Sequence, residues 1–132
     1  MGLLYRQRLL VVDDDQDTRE LFQFLLEAEG AEVKTSRTAA AALEVLARWQ
    51  ADALISDLTL PDSDGCALLT RLRSTQTGNQ NIPAIAVSGW DEAEIREQIL
   101  AAGFHTYLPK PVDSESLIAA VVQVTHPKTA AQ

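Results

Sequence analysis

The sequence contains little cysteine and no long apolar run. Its 132 residues include one cysteine, Cys66, so no disulfide can form within the chain, and a reducing compartment is expected. No apolar run approaches the roughly 18 residues of a membrane-spanning helix. The opening segment, MGLLYRQR, is too short and too charged for a secretory signal. These absences predict a cytoplasmic protein without membrane insertion.

Basic residues are also scarce. Eleven Lys and Arg residues stand against nineteen Asp and Glu residues, and the net charge of −8 disfavours binding to a nucleic-acid backbone. The two histidines, His105 and His126, are isolated and lack the spacing of metal ligands. Since 46% of the residues are hydrophobic and no repeat is present, the composition predicts one globular domain without direct nucleic-acid contacts.

Short apolar runs alternate with segments of helical spacing along the chain. The runs are RLLVVD, AEVKT, ADALISD, IPAIAVS and FHTYLP. The first helical segment carries an apolar stripe made of Leu21, Phe22, Leu25 and Leu26. Asp15, Thr38 and Asp113 stand at expected N-cap positions, and Gly30 and Gly103 follow two of the helices. The alternation predicts an α/β fold, in which five helices cover both faces of a doubly wound, five-stranded parallel sheet.

Polar side chains follow the ends of the predicted strands. The first strand ends at Asp13 and Asp14, the third at Asp57 and the fourth at Ser88, while the fifth leads to Lys110. In parallel α/β sheets the functional crevice lies beyond the carboxyl ends of the strands. We therefore expect three carboxylates, a hydroxyl and an ammonium group to converge at one edge of the sheet.

This set of groups suits a hard cation and a phosphoryl group. Clustered carboxylates without His or Cys ligands favour Mg²⁺, with Mn²⁺ as a possible substitute. Lys110 and Ser88 suit the remaining phosphoryl oxygens. Asp57 is the best candidate for the nucleophile that becomes an aspartyl phosphate, because it ends its strand alone whereas Asp13 and Asp14 form a pair.

Four segments of the chain resemble the receiver domains of two-component response regulators. They are LLVVDDDQDTR, ALISDLTLPDSDG, IPAIAVSG and FHTYLPKP, in that order. The resemblance covers residues 8–125, which leaves residues 1–7 as an N-terminal extension and residues 126–132 as a flexible tail. It implies a flavodoxin-like sheet with the strand order 2-1-3-4-5. The segment around FHTYLPKP is more similar to receivers attached to hybrid sensor kinases than to those joined to transcription factors.

The resemblance also implies roles for the acidic residues. Asp57 would accept a phosphoryl group from the phosphohistidine of a histidine kinase or a histidine phosphotransfer protein. Asp14 would bind Mg²⁺ directly and Asp13 mainly through water, and the backbone carbonyl of Thr59 would be a further ligand. Such a protein is not an ordinary enzyme, because it catalyses only its own phosphorylation and dephosphorylation.

Further residues would report the phosphorylation, according to the same resemblance. Ser88 and Lys110 would bind the phosphoryl group, Tyr107 would reorient together with Ser88, and the Lys110–Pro111 peptide bond would be cis. The fourth helix, fifth strand and fifth helix would form the switching surface for an unidentified downstream protein. Other residues on or near this surface are Trp90, Ile95 and Leu108.

Three other functions are weaker candidates. The pair Asp13 and Asp15 is similar to the motif of haloacid dehalogenase-type hydrolases, but Asp17 stands where that motif requires Thr or Val. A flavin-binding carrier of the flavodoxin type would need a Ser/Thr/Gly-rich phosphate loop where this chain has three aspartates. A receiver fold that works as a phosphorylation-independent interaction module would differ from the main hypothesis in its phosphorylation chemistry alone.

Overall fold

Strands and helices alternate strictly along the chain, as the sequence predicts. The computed structural model describes residues 2–89 and 92–126. The strands are β1 Arg8–Val12, β2 Glu32–Ser36, β3 Ala53–Asp57, β4 Ala84–Ser88 and β5 Thr106–Pro109. The helices are α1 Gln16–Ala28, α2 Ala39–Leu46, α3 Gly65–Arg73, α4 Glu92–Ala102 and α5 Ser114–Thr125. The strands form one parallel sheet in the order β2-β1-β3-β4-β5, which confirms the predicted fold.

The sheet divides the hydrophobic core into two layers. Leu10 and Leu54 pair in register on β1 and β3 and face the layer that contains side chains of α2, α3 and α4. Val11 and Ile55, the next pair, face the layer of α1 and α5. Because both faces are covered, the central strands are apolar at almost every position, as is typical of parallel sheets. None of the described helices is long and apolar enough to span a bilayer.

Side-chain caps fix the start of four helices. Asp15, Thr38 and Asp113 accept hydrogen bonds from backbone N–H groups in the first turns of α1, α2 and α5, and these three caps are confirmed. Asp64 caps α3 in the same way. Gly103 has a positive φ of 108° at the end of α4, where a residue with a Cβ would be strained.

Residues 2–7 pack against the corner between α1 and β2. Leu4 is fully buried, and its N–H donates to the carbonyl of Glu29 at 2.9 Å. The N–H of Arg6 donates to the carbonyl of Gly30 at 3.2 Å. Gly30 has a φ of 95°, and a Cβ there would lie 2.9 Å from the Cα of Tyr5, so the corner requires glycine. The segment before β1 thus adds a leucine to the core.

Helix α1 buries less of its apolar stripe than the sequence predicts. Phe22 and Leu26 are buried, but Leu21 is 50% exposed. Phe22 and Leu26 are one helical turn apart and face the sheet, whereas the side chain of Leu21 is rotated away by about 100°. Phe24, which lies on the outer side of the helix, is 70% exposed.

Parts of the predicted switching surface and of the tail lie outside the described residues. Trp90 is one of them, and so is the tail beyond His126. The side chain of Ile95 is likewise not described. Leu108 is buried in the layer of α1 and α5.

Candidate functional site

The carboxyl ends of β1 and β3 bring three carboxyl groups together. One oxygen from each of Asp13, Asp14 and Asp57 lies within 4.8 Å of the others. Asp13 is 2% exposed and Asp57 is 6% exposed, whereas Asp14 is exposed to solvent. The two strands are parallel neighbours in the sheet, so their carboxyl ends lie at the same edge. The predicted convergence of these residues is therefore present in the structure.

Lys110 reaches the cluster from the segment after β5. Its Nζ lies 2.9 Å from Oδ2 of Asp57 and 3.6 Å from Oδ2 of Asp13. Partial burial by itself lowers the pKa of Lys110, but the hydrogen bond to Asp57 and the two nearby negative charges outweigh it and raise the pKa above its ordinary value. The ammonium group is thus held in its charged form. The Lys110–Pro111 peptide bond is cis, as predicted.

The cluster carries more negative than positive charge. Burial raises the pKa of Asp13, although a hydrogen bond from the N–H of Asp15 (2.9 Å) and the charge of Lys110 partly offset this effect. The ammonium group of Lys110 forms ion pairs with Asp13 and Asp57, and Asp14 adds a third carboxyl group to the cluster. Oxygen donors with excess negative charge and no His or Cys ligand fit a hard divalent cation such as Mg²⁺.

The loop after β3 holds Asp57 in place. Oδ1 of Asp57 accepts a hydrogen bond from the N–H of Thr59 at 3.0 Å. The N–H of Leu58 donates to the carbonyl of Val87 on β4 at 3.1 Å. Helix α3 begins at Gly65, where a Cβ would lie 2.6 Å from the carbonyl oxygen of Asp57. Glycine therefore allows α3 to start directly against the end of β3.

The two predicted switch residues lie at different depths. Ser88 ends β4 at the same edge of the sheet and is 1% exposed, and its carbonyl accepts the N–H of Lys110 at 2.8 Å. Tyr107 is partly buried on β5, and it lines a small cavity together with Arg96 and Ile99 of α4. The structure thus places Ser88 beside the carboxyl cluster and Tyr107 beneath α4.

Sequence reasoning missed two residues that support the site. The guanidinium of Arg19 donates to the carbonyl of Asp13 at 2.8 Å, which fixes the loop after β1. Its position in α1 is a signal for this contact, because helical side chains lean toward the N-terminus of their helix. Asp62, in the loop after β3, accepts hydrogen bonds from two residues of α2. No local pattern indicates that contact.

Comparisons with known proteins agree with this geometry. Residues 9–122 match the family model described as the response regulator receiver domain. An uncharacterized 14.6 kDa protein from the sodA1 3′ region of Leptolyngbya boryana is 43% identical over 123 residues, which is 93% of this chain and 93% of that protein. Response regulator MprA of Mycobacterium leprae is 36% identical over 128 residues, which is 95% of this chain but 55% of that regulator, so the chain spans just over half of it.

A solved structure shows the same fold. The crystal structure of a CheY-like response regulator receiver domain protein from Methanospirillum hungatei superimposes with a TM-score of 0.86 at 27% sequence identity. The match covers 96% of this chain and 99% of that one. The similarity therefore extends over the whole sheet and its helices, including the edge that carries the carboxyl cluster.

Proposed function

The chain belongs to the response regulator receiver domain family, the phosphoryl-accepting modules of two-component signalling, and on this basis we propose that Asp57 is its phosphoacceptor. The donor is a phosphohistidine of a histidine kinase or a histidine phosphotransfer protein. An oxygen of Asp57 forms a bond to phosphorus while the bond between phosphorus and the imidazole nitrogen breaks. The imidazole leaves with the electron pair of that bond and becomes protonated.

The contact between Lys110 and Asp57 carries this proposal. The ammonium group lies 2.9 Å from Oδ2 of a carboxylate that is almost fully buried, at the end of the central strand. A charge held there can pair with the phosphoryl oxygens when they arrive, without moving far. The corresponding oxygen of Asp13 is farther away, at 3.6 Å from the same ammonium group. Asp57 is thus the carboxylate that Lys110 favours.

The acidic residues would hold Mg²⁺, or Mn²⁺ in its place. The ligands would be the carboxylates of Asp13, Asp14 and Asp57 and the backbone carbonyl of Thr59, with Asp13 acting mainly through water. The bound ion would neutralise negative charge on the phosphoryl group during transfer. Other groups of the chain keep the carboxylates in place. Arg19 donates a hydrogen bond to the backbone carbonyl of Asp13, and the N–H of Thr59 donates to the carboxylate of Asp57.

A cleft beside the site could receive the phosphohistidine-bearing partner. It has a volume of about 420 Å³ and is lined by residues of α1 and by the segment that contains Lys110. Leu21 lines it and is half exposed, and Phe24 is exposed on the same helix. Exposed apolar side chains next to a reactive group are typical of docking surfaces.

Phosphorylation would change the outer surface through Ser88 and Tyr107. The modification adds roughly −1.5 to −2 charges at the end of β3. Ser88 and Lys110 would bind the new oxygens, and Tyr107 would reorient beneath α4. This shift would favour one of two arrangements of α4, β5 and α5, which an unidentified partner protein reads.

Phosphoryl transfer from acetyl phosphate tests the proposal. The wild-type protein is incubated with Mg²⁺ and acetyl phosphate, and its intact mass is compared with that of Asp57→Asn. The wild type should gain one phosphoryl group and Asp57→Asn none. Asp17→Asn, which changes an exposed acid of α1 near the cluster, should gain the group like the wild type.

Two outcomes would overturn the proposal. A phosphoryl group on Asp57→Asn would place the phosphoacceptor elsewhere. If the wild type gains nothing, even from a histidine-phosphorylated donor protein, the fold serves as an interaction module that works without phosphorylation. Removal of the divalent cation with EDTA should abolish the gain in mass, and persistence of the gain would exclude the metal role.

A further inference from the structure

Helix α2 is capped by a residue of the loop that follows the phosphoacceptor strand. Oδ1 of Asp62 accepts the N–H of Ala39 at 2.9 Å, and Oδ2 accepts the N–H of Ala40 at 3.0 Å. These N–H groups belong to the first turn of α2, so they have no partner within the helix. Thr38, the local cap, accepts the N–H of Ala41 at 3.0 Å. Helix α2 therefore has one cap from its own segment and a second cap from a distant loop.

The loop that supplies Asp62 also carries Thr59. The N–H of Leu60 donates to the carbonyl of Ser63 at 3.0 Å, which closes a tight turn that contains Asp62. Thr59 in turn bonds Asp57 through its N–H and pairs with Asp64 in an isolated bridge. A displacement of Asp62 would thus be transmitted through this turn to the backbone of Thr59.

Residues 36–40, which run from the end of β2 to the start of α2, contact the segments that follow β1 and β3. The N–H of Asp13 donates to the carbonyl of Ser36 at 3.1 Å, two residues before the local cap of α2. Asp62 joins the other loop to Ala39 and Ala40. The hydrogen bonds from Ala40 and then Ala39 lower the pKa of Asp62, as expected for a carboxylate that accepts two backbone N–H groups. Residues 36–40 therefore form a bridge between the two loops of the cluster.

We propose that Asp62 is a positioning residue that holds the loop of Thr59 in register with the carboxylates of the cation site, by anchoring that loop to the start of α2. The inference rests on the proposed function, because it assigns the cation affinity of that site to a contact outside it. A residue that only stabilised α2 would act like Thr38. The two roles separate because the hydroxyl of Thr38 caps Ala41 of the adjoining helix, whereas Asp62 joins that helix to the loop after β3.

Cation affinity in matched cap variants tests the proposal. Mn²⁺ and Mg²⁺ binding are measured by titration calorimetry for the wild type, Asp62→Ala and Thr38→Ala, after urea unfolding has confirmed that each is folded. Asp62→Ala should bind the cation about three- to tenfold more weakly than the wild type. This loss is smaller than the roughly 10- to 100-fold loss typical of groups that contact metal ligands directly, because Asp62 acts through the loop. Thr38→Ala should remain within about twofold of the wild type, although it lowers helix stability.

Asp62→Asn separates geometry from charge. Substitution by asparagine removes the negative charge of Asp62, as substitution by alanine does. The carbonyl oxygen of asparagine, however, still accepts one N–H of α2. If the contact matters, Asp62→Asn should retain more cation affinity than Asp62→Ala. Equal affinities in these two variants would mean that charge alone is responsible, and the positioning role would be refuted. Equal losses in Asp62→Ala and Thr38→Ala would reduce Asp62 to a helix cap.

Amide hydrogen exchange distinguishes failure of this inference from failure of the proposed function. In Asp62→Ala, and not in Thr38→Ala, the amides of Thr59 and Leu60 should exchange faster in the absence of any cation. Unchanged exchange there would refute the anchor. If exchange is faster but the wild-type protein binds no cation, Asp62 does anchor the loop after β3. The cation role given to Asp62 and the metal site of the proposed function would then both be wrong.

Discussion

The buried polar groups at the two ends of the sheet differ in how their charges and hydrogen bonds are matched. At the carboxyl end, three carboxyl groups lie close together, the ammonium group of Lys110 pairs with two of them, and burial raises the pKa of Asp13. At the amino end, the buried side-chain amide of Asn79 is matched by backbone groups. Asn79 is fully buried, accepts the N–H of Ala51 and donates to the carbonyls of Leu46 and Trp49.

Arg73 repeats this arrangement at the amino end. Its guanidinium donates to the carbonyls of Gln80, Ile82 and Gly103, at 3.0, 2.7 and 3.1 Å. Asn79 joins the loops before β3 and β4, and Arg73 joins the loop before β4 to the end of α4. The carboxyl end gains no comparable stability from its acids, because like charges that are kept close repel one another. Local imbalance of charge, and not burial of polar groups as such, therefore distinguishes the site from the scaffold.

Replacement of Asn79 should produce the largest loss of stability at the amino end. Asn79→Ala leaves the N–H of Ala51 and the carbonyls of Leu46 and Trp49 without this partner, and each fully buried group costs roughly 1–3 kcal/mol. We expect the free energy of unfolding, measured with urea, to fall by about 3 kcal/mol. The folded fraction should still accept the phosphoryl group.

Asn81→Ala is the matched control for that change. Asn81 lies two residues away and is exposed, so its replacement should alter the free energy of unfolding by less than about 0.5 kcal/mol. An equal loss in both variants would show that the contacts of Asn79 contribute little. A loss of phosphoryl acceptance in folded Asn79→Ala would show that the two ends of the sheet are coupled.

Removal of one charge at the carboxyl end should raise the stability of the protein, whereas Asn79→Ala lowers it. Because burial raises the pKa of Asp13, the folded protein disfavours its ionised form, and Asp13→Asn should stabilise the protein in cation-free buffer at neutral pH. We expect about 1 kcal/mol, or roughly 4 °C in Tm for a domain of this size. Added Mg²⁺ should raise the Tm of the wild type more than that of the variant.

Asp17→Asn sharpens this comparison. Asp17 is an exposed acid in the first turn of α1, where a negative charge is favourable, so its loss should lower the Tm slightly. The response to Mg²⁺ should stay as in the wild type. A lower Tm for Asp13→Asn as well would mean that the ion pair of Asp13 with Lys110 outweighs the cost of burying its charge, and the contrast between the two ends would disappear.

The sequence predicts the parts of this molecule that depend on local patterns. Alternating apolar runs are sufficient for the strands, and the residues at their ends are sufficient for the convergence of Asp13, Asp57 and Lys110. Asp62 and Asn79 could not be predicted, because their partners lie 23 and 28 positions away and are brought near by packing of whole elements. The exposure of Leu21 depends in the same way on how α1 lies against the sheet.

His105 offers the smallest effect, again at the amino end. The N–H of Ala84 donates to Nδ1 of His105 at 3.3 Å, and the N–H of His105 donates to the carbonyl of Ala84 at 2.7 Å. Burial, and then the charge of Arg73, lower the pKa of His105 below 6.5. The unfolded chain therefore binds more protons than the folded protein in the interval between the lowered pKa and 6.5.

The contribution of neutral His105 to the free energy of unfolding should accordingly be fully present above pH 6.5. It should decline as the pH falls from 6.5 through the lowered pKa of His105. Since the side chain is exposed to solvent, we expect a change below about 0.5 kcal/mol between pH 7 and pH 5 in urea unfolding. His105→Asn, whose carbonyl oxygen can accept the same N–H, should remove this decline. His126→Asn should keep it, because the contact with Ala84 is intact. A decline of the same size in His105→Asn would show that His105 is not its source, and Asp13 could not supply it, because its raised pKa makes stability rise as the pH falls.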